Sequence, residues 1–153
     1  MKYETTANLS AESINNLIKN LKDYNKDLQE AKKHITRALS EYTQWRAREY
    51  LKDSLIHPDL STGKLSESIR IQNISDEVAK VYTDLYYAAY VEFGTGVRGS
   101  LSDYGTKRFG DISYNEKFES GQPAHRYMYN AVTDLEMNYV KIARKVLKSR
   151  GLI

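Results

Sequence analysis

Three sets of residues have types and spacing that could carry chemistry. The first is Gly94-Thr95-Gly96-Val97-Arg98-Gly99, a literal G-x-G-x-x-G, directly after the aromatic run Tyr87-Ala88-Ala89-Tyr90-Val91-Glu92-Phe93. Such glycines let a backbone approach a pyrophosphate, provided a strand precedes them, a helix opens immediately after them and an acid ends a parallel strand about 20 residues on. Here the preceding segment reads as a short helix and the sequel from Ser100 is a poor helix former; Glu116 and Glu119 have the spacing but lack the strand. No lysine follows in a G-K-S/T arrangement, so a P-loop is excluded as well. The second set, His34, His57 and His125, forms neither H-x-x-x-H nor H-E-x-x-H, and there is no cysteine to supply a thiolate ligand, a disulfide or a nucleophile. The third, the serines with His and Asp, lacks a nucleophile signature such as G-x-S-x-G. The sequence therefore implies no catalytic residue, no cofactor and no metal.

Glu92 stands apart, an acid between Val91 and Phe93. Two readings stay open. It is either the wet position of an amphipathic helix, or a partly buried carboxylate that receives hydrogen bonds from a turn's backbone or from an arginine across an interface.

The elements that must position these residues follow from hydrophobic periodicity. Ile14, Leu17, Leu21, Tyr24, Leu28, Ala31, Ile35, Ala38, Tyr42 and Trp45 recur at alternating three and four residues, the stripe of a long helix. A kink or break near Asp23-Tyr24-Asn25 would be unsurprising, and His57-Pro58 should stop the helix because proline disfavours helical geometry in the residue before it. Residues 61–66 read as a turn; Ser68–Ile74 and Glu77–Thr83 alternate as two strands of a hairpin or meander. Such a stripe could mean a coiled coil, but the sheet-forming sequence that follows needs a partner for its apolar face, so most of the helix is expected to pack on that sheet, and any part projecting past it should meet a neighbouring subunit.

Leu85–Phe93 is expected to be helical, with Gly94 as its stop. Residues 94–121 hold six of the eight glycines, interleaved with Tyr104, Phe109, Tyr114 and Phe118. This predicts a long loop or hairpin arm, with Gly94, Thr95 and Gly96 as its hinge, and loops of this length are usually functional. Partner contacts are expected at Glu92, Arg98, Tyr104, Lys107, Arg108 and Phe109. A last helix should open at Pro123, with Met128, Ala131, Val132, Leu135, Tyr139, Ile142 and Val146 as its buried stripe.

Charge is unevenly placed. Residues 121–153 carry six basic and two acidic groups within a chain whose net charge is +3. Lys141, Arg144, Lys145 and Lys148 sit at the end of the last helix, where the dipole favours cations, and they are also the candidates for a DNA contact. The 13 tyrosines, against 3 Phe and 1 Trp, suit protein interfaces, since tyrosine joins a large contact area to a polar tip. The length of 153 residues fits one domain. No stretch approaches the roughly 20 apolar residues of a membrane span, and Met1–Ser13 lacks a signal-peptide core, so synthesis in a cytoplasm is expected.

Taken together, Ser61-Thr62-Gly63-Lys64-Leu65-Ser66-Glu67-Ser68-Ile69, Tyr87-Ala88-Ala89-Tyr90-Val91-Glu92-Phe93-Gly94-Thr95 and Gln122-Pro123-Ala124-His125-Arg126-Tyr127-Met128-Tyr129-Asn130-Ala131 resemble the bacteriophage HK-ninety-seven gene-product-ten family. These are tail-completion, or head-tail joining, proteins of long-tailed phages. The resemblance covers about residues 30 to 150. Arg126 and Asn130 stand where the family often has prolines, and Tyr127 replaces a phenylalanine. The resemblance implies an α+β fold, a small antiparallel sheet packed by a long N-terminal and a C-terminal helix. It also implies a non-enzymatic virion protein, made in the bacterial cytoplasm. In the virion it would be a homo-oligomeric ring, hexameric, between the head connector or adaptor and the tail terminator or tube. Nucleic acid enters only as DNA in the ring lumen, and no membrane is involved.

Overall fold

The computed structural model describes residues 11–53, 63–100 and 121–153. Helix α1 (Ala11–Asp53) is one helix of 43 residues. It contains neither Gly nor Pro, and it runs unbroken through Asp23-Tyr24-Asn25, so there is no break at that point. The stop expected at His57-Pro58 lies outside the described residues.

Six elements follow among the described residues. A short helix α2 (Lys64–Ser68) opens behind Gly63, whose φ of 70° is left-handed. It leads into β1 (Arg70–Asn73) and β2 (Ala79–Tyr82), an antiparallel hairpin in the register Arg70↔Tyr82 to Asn73↔Ala79. Two short helices, α3 (Ala88–Phe93) and α4 (Gly96–Ser100), precede the long α5 (Tyr127–Ser149). The architecture is α+β, with two long helices carrying a two-stranded sheet. The strands are shorter than the alternation suggests, because Ser68 ends α2 and turns its hydroxyl to that of Thr83, 2.6 Å away.

Helices α1 and α5 run antiparallel, a register set by two ion pairs, Arg46 with Asp134 and Arg150 with Glu30. Burial works against the charge of Arg46, but the hydrogen bonds it donates to Asp134 and Tyr50 outweigh it and hold the guanidinium more firmly protonated than usual. Between them α1 buries Ala31, Ser40, Thr43, Ala47 and Leu51. Small side chains here let the helix backbones approach closely. The two hydroxyls are satisfied within their own helix, Ser40 donating to the Arg37 carbonyl and Thr43 to that of Leu39, both at 2.9 Å. The predicted stripe therefore drifts off the seam: Trp45, its last member, is 52% exposed, and Tyr139 on α5 is 53% exposed.

The core lies at the C-terminal end of α1, where Ala47, Leu51, Ile69, Tyr127 and Ala131 are buried together. Polar side chains of α1 finish the work that the short sheet leaves undone. Gln44 and Arg48 both donate to the Ile69 carbonyl, at 2.7 and 2.9 Å, and Arg48 also reaches the Ser66 carbonyl. Lys32 pairs with Glu77 at the hairpin tip. At its other end α1 outruns its partner. With residue 30 level with 150, residues 11 to about 27 extend past the end of α5, roughly 25 Å of helix at 1.5 Å per residue. Ile14, Ile18 and Leu21 on that length remain largely exposed. Among the described residues, no helix is long and apolar enough to cross a membrane.

Candidate functional site

The glycine run is a packing device. Glu92, in the last turn of α3, is only 6% exposed, and its carboxylate caps the start of α5. The Met128 N–H donates to Oε2 at 2.9 Å and the Tyr129 N–H to Oε1 at 3.1 Å. A helix leaves its first four N–H groups without intrahelical partners and concentrates partial positive charge there, so a carboxylate at this point satisfies both needs. Glu92 is no wet position: it is a buried carboxylate that receives backbone hydrogen bonds, and the donors belong to the first turn of a helix in its own chain. The missed signal was the six-residue strap before α5, which brings the helix end to the acid.

That strap is residues 121–126. The backbone N–H groups of His125 and Arg126 donate to the carbonyls of Val91 and Glu92, at 3.0 and 3.1 Å. Helix α5 therefore starts at Tyr127 and not at Pro123, because the backbone between them is already bonded to α3. Thr95 ties the other side: its N–H donates to the Gln122 carbonyl at 2.8 Å and its hydroxyl accepts from the Gln122 N–H at 3.1 Å. The Gln122 side chain donates to the Tyr90 carbonyl at 2.9 Å. Two glycines make this approach possible. Gly94 has φ of 82°, and an added Cβ would lie 2.6 Å from the Gln122 carbonyl oxygen; at Gly121 it would lie 1.8 Å from that of Thr95.

Buried beside the cap, the Tyr127 phenol is pushed well above its ordinary range, first by burial and then by the Glu92 charge. Burial pushes the His125 imidazole down, with the nearby Glu92 charge opposing it.

Compared with protein families, residues 15–94 match the model of bacteriophage HK97-gp10, a tail component, which is 80 of the 153 residues. The chain belongs to this family. It is a structural component of a phage tail, and so of a virion. No curated protein and no solved structure matches it significantly. The matched stretch ends at Gly94, so the Gln122–Ala131 segment lies beyond it, joined to it by the hydrogen bonds of the strap.

At two positions where the family often has proline, this tail component cannot use it along its present path. Arg126 has φ of 55°, whereas proline is fixed near −65°. Its N–H is bonded to Glu92, and that of Asn130 closes the first turn of α5 on the Arg126 carbonyl at 2.8 Å.

Next to the cap lies an open groove of about 530 Å³. Leu85, Ala88, Ala89 and Phe93 wall one side, Tyr129 and Val132 the other, with Glu92 at its base. The remaining expected site residues fall in three places. Gly94, Thr95 and Gly96 sit in the knot of α3, α4 and the strap, and Gly96 begins α4, so residues 96–100 are helical where a loop was expected. Arg98 is exposed on α4; Tyr104, Lys107, Arg108 and Phe109 lie outside the described residues. Lys141, Arg144, Lys145 and Lys148 are exposed together on α5, away from the groove: Lys141 is nine residues, roughly 14 Å, past Val132.

Proposed function

We propose that this tail component completes the head-tail junction as a ring of six copies between the head connector or adaptor and the tail terminator or tube. The observation that carries the reading is the length of α1 beyond α5. Helix packing in one chain leaves Ile14, Ile18 and Leu21 exposed, and a helix end with an apolar ridge asks for a neighbouring protein. No catalytic step, cofactor or metal belongs to this reading.

The arm that begins at Gly94 and returns at Gly121 is the second contact, through Arg98, Tyr104, Lys107, Arg108 and Phe109. Its support is the knot: Gly121 packs against Thr95 and Gly96, which holds the described residues on either side of the arm together. Because Gly99 also packs against Gly94, the arm is best removed between residues 102 and 119.

A deletion of the gene tests the assignment. The expected outcome is that host cells accumulate DNA-filled heads and full-length tails that do not join, and that the 102–119 deletion, though folded, fails to restore joining. Normal joining without the protein, or absence of tails altogether, would refute it. A second reading, contact with DNA in the lumen, is favoured by the exposure of Lys141, Arg144, Lys145 and Lys148 on one stretch of α5. Replacing all four with alanine should then lower duplex affinity and flatten its salt dependence; a parent protein that binds no duplex at low salt removes this reading.

A further inference from the structure

The groove beside Glu92 and the ridge on α1 are complementary, and the geometry points to their meeting between copies: the ridge Ile14, Ile18 and Leu21 of one chain seats in the α3–α5 groove of the next. This rests on the ring reading above and names the contact that would build the ring.

The ridge residues fall at i, i+4 and i+7, the spacing with which an amphipathic helix anchors itself in an apolar groove. The groove's walls are largely apolar, and its 530 Å³ is open to solvent along one side. Charge agrees with the pairing. Lys19, Lys22 and Lys26 are exposed on the helix beside the ridge. Across the contact, Glu136 stands one turn beyond Val132, and Asp84, which is 4.0 Å from Arg70 of its own chain, lies between two groove residues, Thr83 and Leu85; both acids are exposed. Ridge-to-ridge pairing is less well served, since the three lysines share one side of the helix and would repel the same lysines of the other copy.

The ridge cannot reach the groove of its own chain. In the register set by Arg46 with Asp134, the groove is level with residues 48–53 of α1. Ile18 is about 30 residues back along the same continuous helix, roughly 45 Å away. Ridge and groove therefore lie near opposite ends of the molecule, and a contact between them is heterologous. Repeated head to tail, such a contact closes into a ring when its rotation allows.

The absence of native cysteine makes the test clean. Ile18→Cys and Ala89→Cys are placed in separate chains and together in one chain, and joined with a short bismaleimide. The reaction is run on the purified protein at high concentration and on assembled particles. Both positions are exposed, so folding is preserved. The expected result, in at least one sample, is a cross-linked dimer when the two single variants are mixed and a ladder of higher multiples for the double variant, lost when Leu21→Glu is added. Absence of the mixed product in both samples, or Ile18→Cys joining chiefly to itself, overturns the inference. Its failure is distinct from failure of the joining role: unjoined heads and tails in the gene deletion can coexist with no ridge-to-groove cross-link, and the cross-link can form in a protein located elsewhere in the tail.

Discussion

Replacing Glu92 is the most informative single change. The carboxylate is 6% exposed and receives two N–H groups from the first turn of α5, at 2.9 and 3.1 Å. A hydrogen bond to a charged group contributes about 1.5–3 kcal/mol. Its position at the positive end of a helix adds about 0.3–1 kcal/mol. The adjoining groove is open, so water can reach the orphaned N–H groups in part, which places the sum near its lower end. Glu92→Ala should therefore cost about 3 kcal/mol, or a fall in Tm of about 6–12 °C for a chain of this size. Glu92→Gln keeps one acceptor and the side-chain volume, and should cost about half as much. Urea unfolding followed by circular dichroism gives the loss, with an unchanged m-value showing that the unfolded state is unaltered. Hydrogen exchange should accelerate selectively at Met128 and Tyr129. A loss below about 0.5 kcal/mol for Glu92→Ala, or unchanged exchange at those two amides, refutes the capping role.

Gly121→Ala should cost at least about 3 kcal/mol, or prevent soluble expression, because the added Cβ would meet the Thr95 carbonyl at 1.8 Å; near-parental stability in thermal melts would show that the strap is not packed on α4. Arg126→Pro restores a residue the family often carries, yet it is expected to destabilise by about 2–3 kcal/mol, since φ of 55° is closed to proline and the N–H to Glu92 is lost; a stabilised variant in the same assay would contradict the local path. His125 binds its proton less readily in the folded chain than in the unfolded one, because burial outweighs the Glu92 charge. The unfolded state then takes up the proton first as pH falls, so stability should decline as pH is lowered from 7 through the ordinary imidazole range. Tm measured from pH 7.5 to 5 should show that slope, and His125→Gln should flatten it; an equal slope in both proteins rules out this histidine as the cause.

Much of the fold was legible because its signals are local. The stripe along α1, the alternation either side of Ser75-Asp76 and the glycine that ends α3 each depend on neighbours in sequence. The seam between α1 and α5 was less legible. Ser40, Thr43 and Ala47 are small or polar and carry no hydrophobic signal, so Trp45 drew the stripe to the wrong side of the helix. The site was legible in composition and opaque in role. Glu92, Gly94 and Thr95 stood out as a group, but their partners, Gln122, His125 and the Met128 and Tyr129 amides, are about 30 residues away in sequence. Only the folded chain brings them together. For the same reason Pro123 promised a helix start that the strap's bonds to Val91 and Glu92 postpone to Tyr127.

The most direct measurement is an electron-microscopy reconstruction of the joined particle at a resolution that traces helices. The account predicts six copies of this chain in one ring between head connector and tail, each with the first turns of α1 lying across the α3–α5 groove of its neighbour. Density for the chain elsewhere in the tail, or a ring in which α1 points away from that groove, would contradict it.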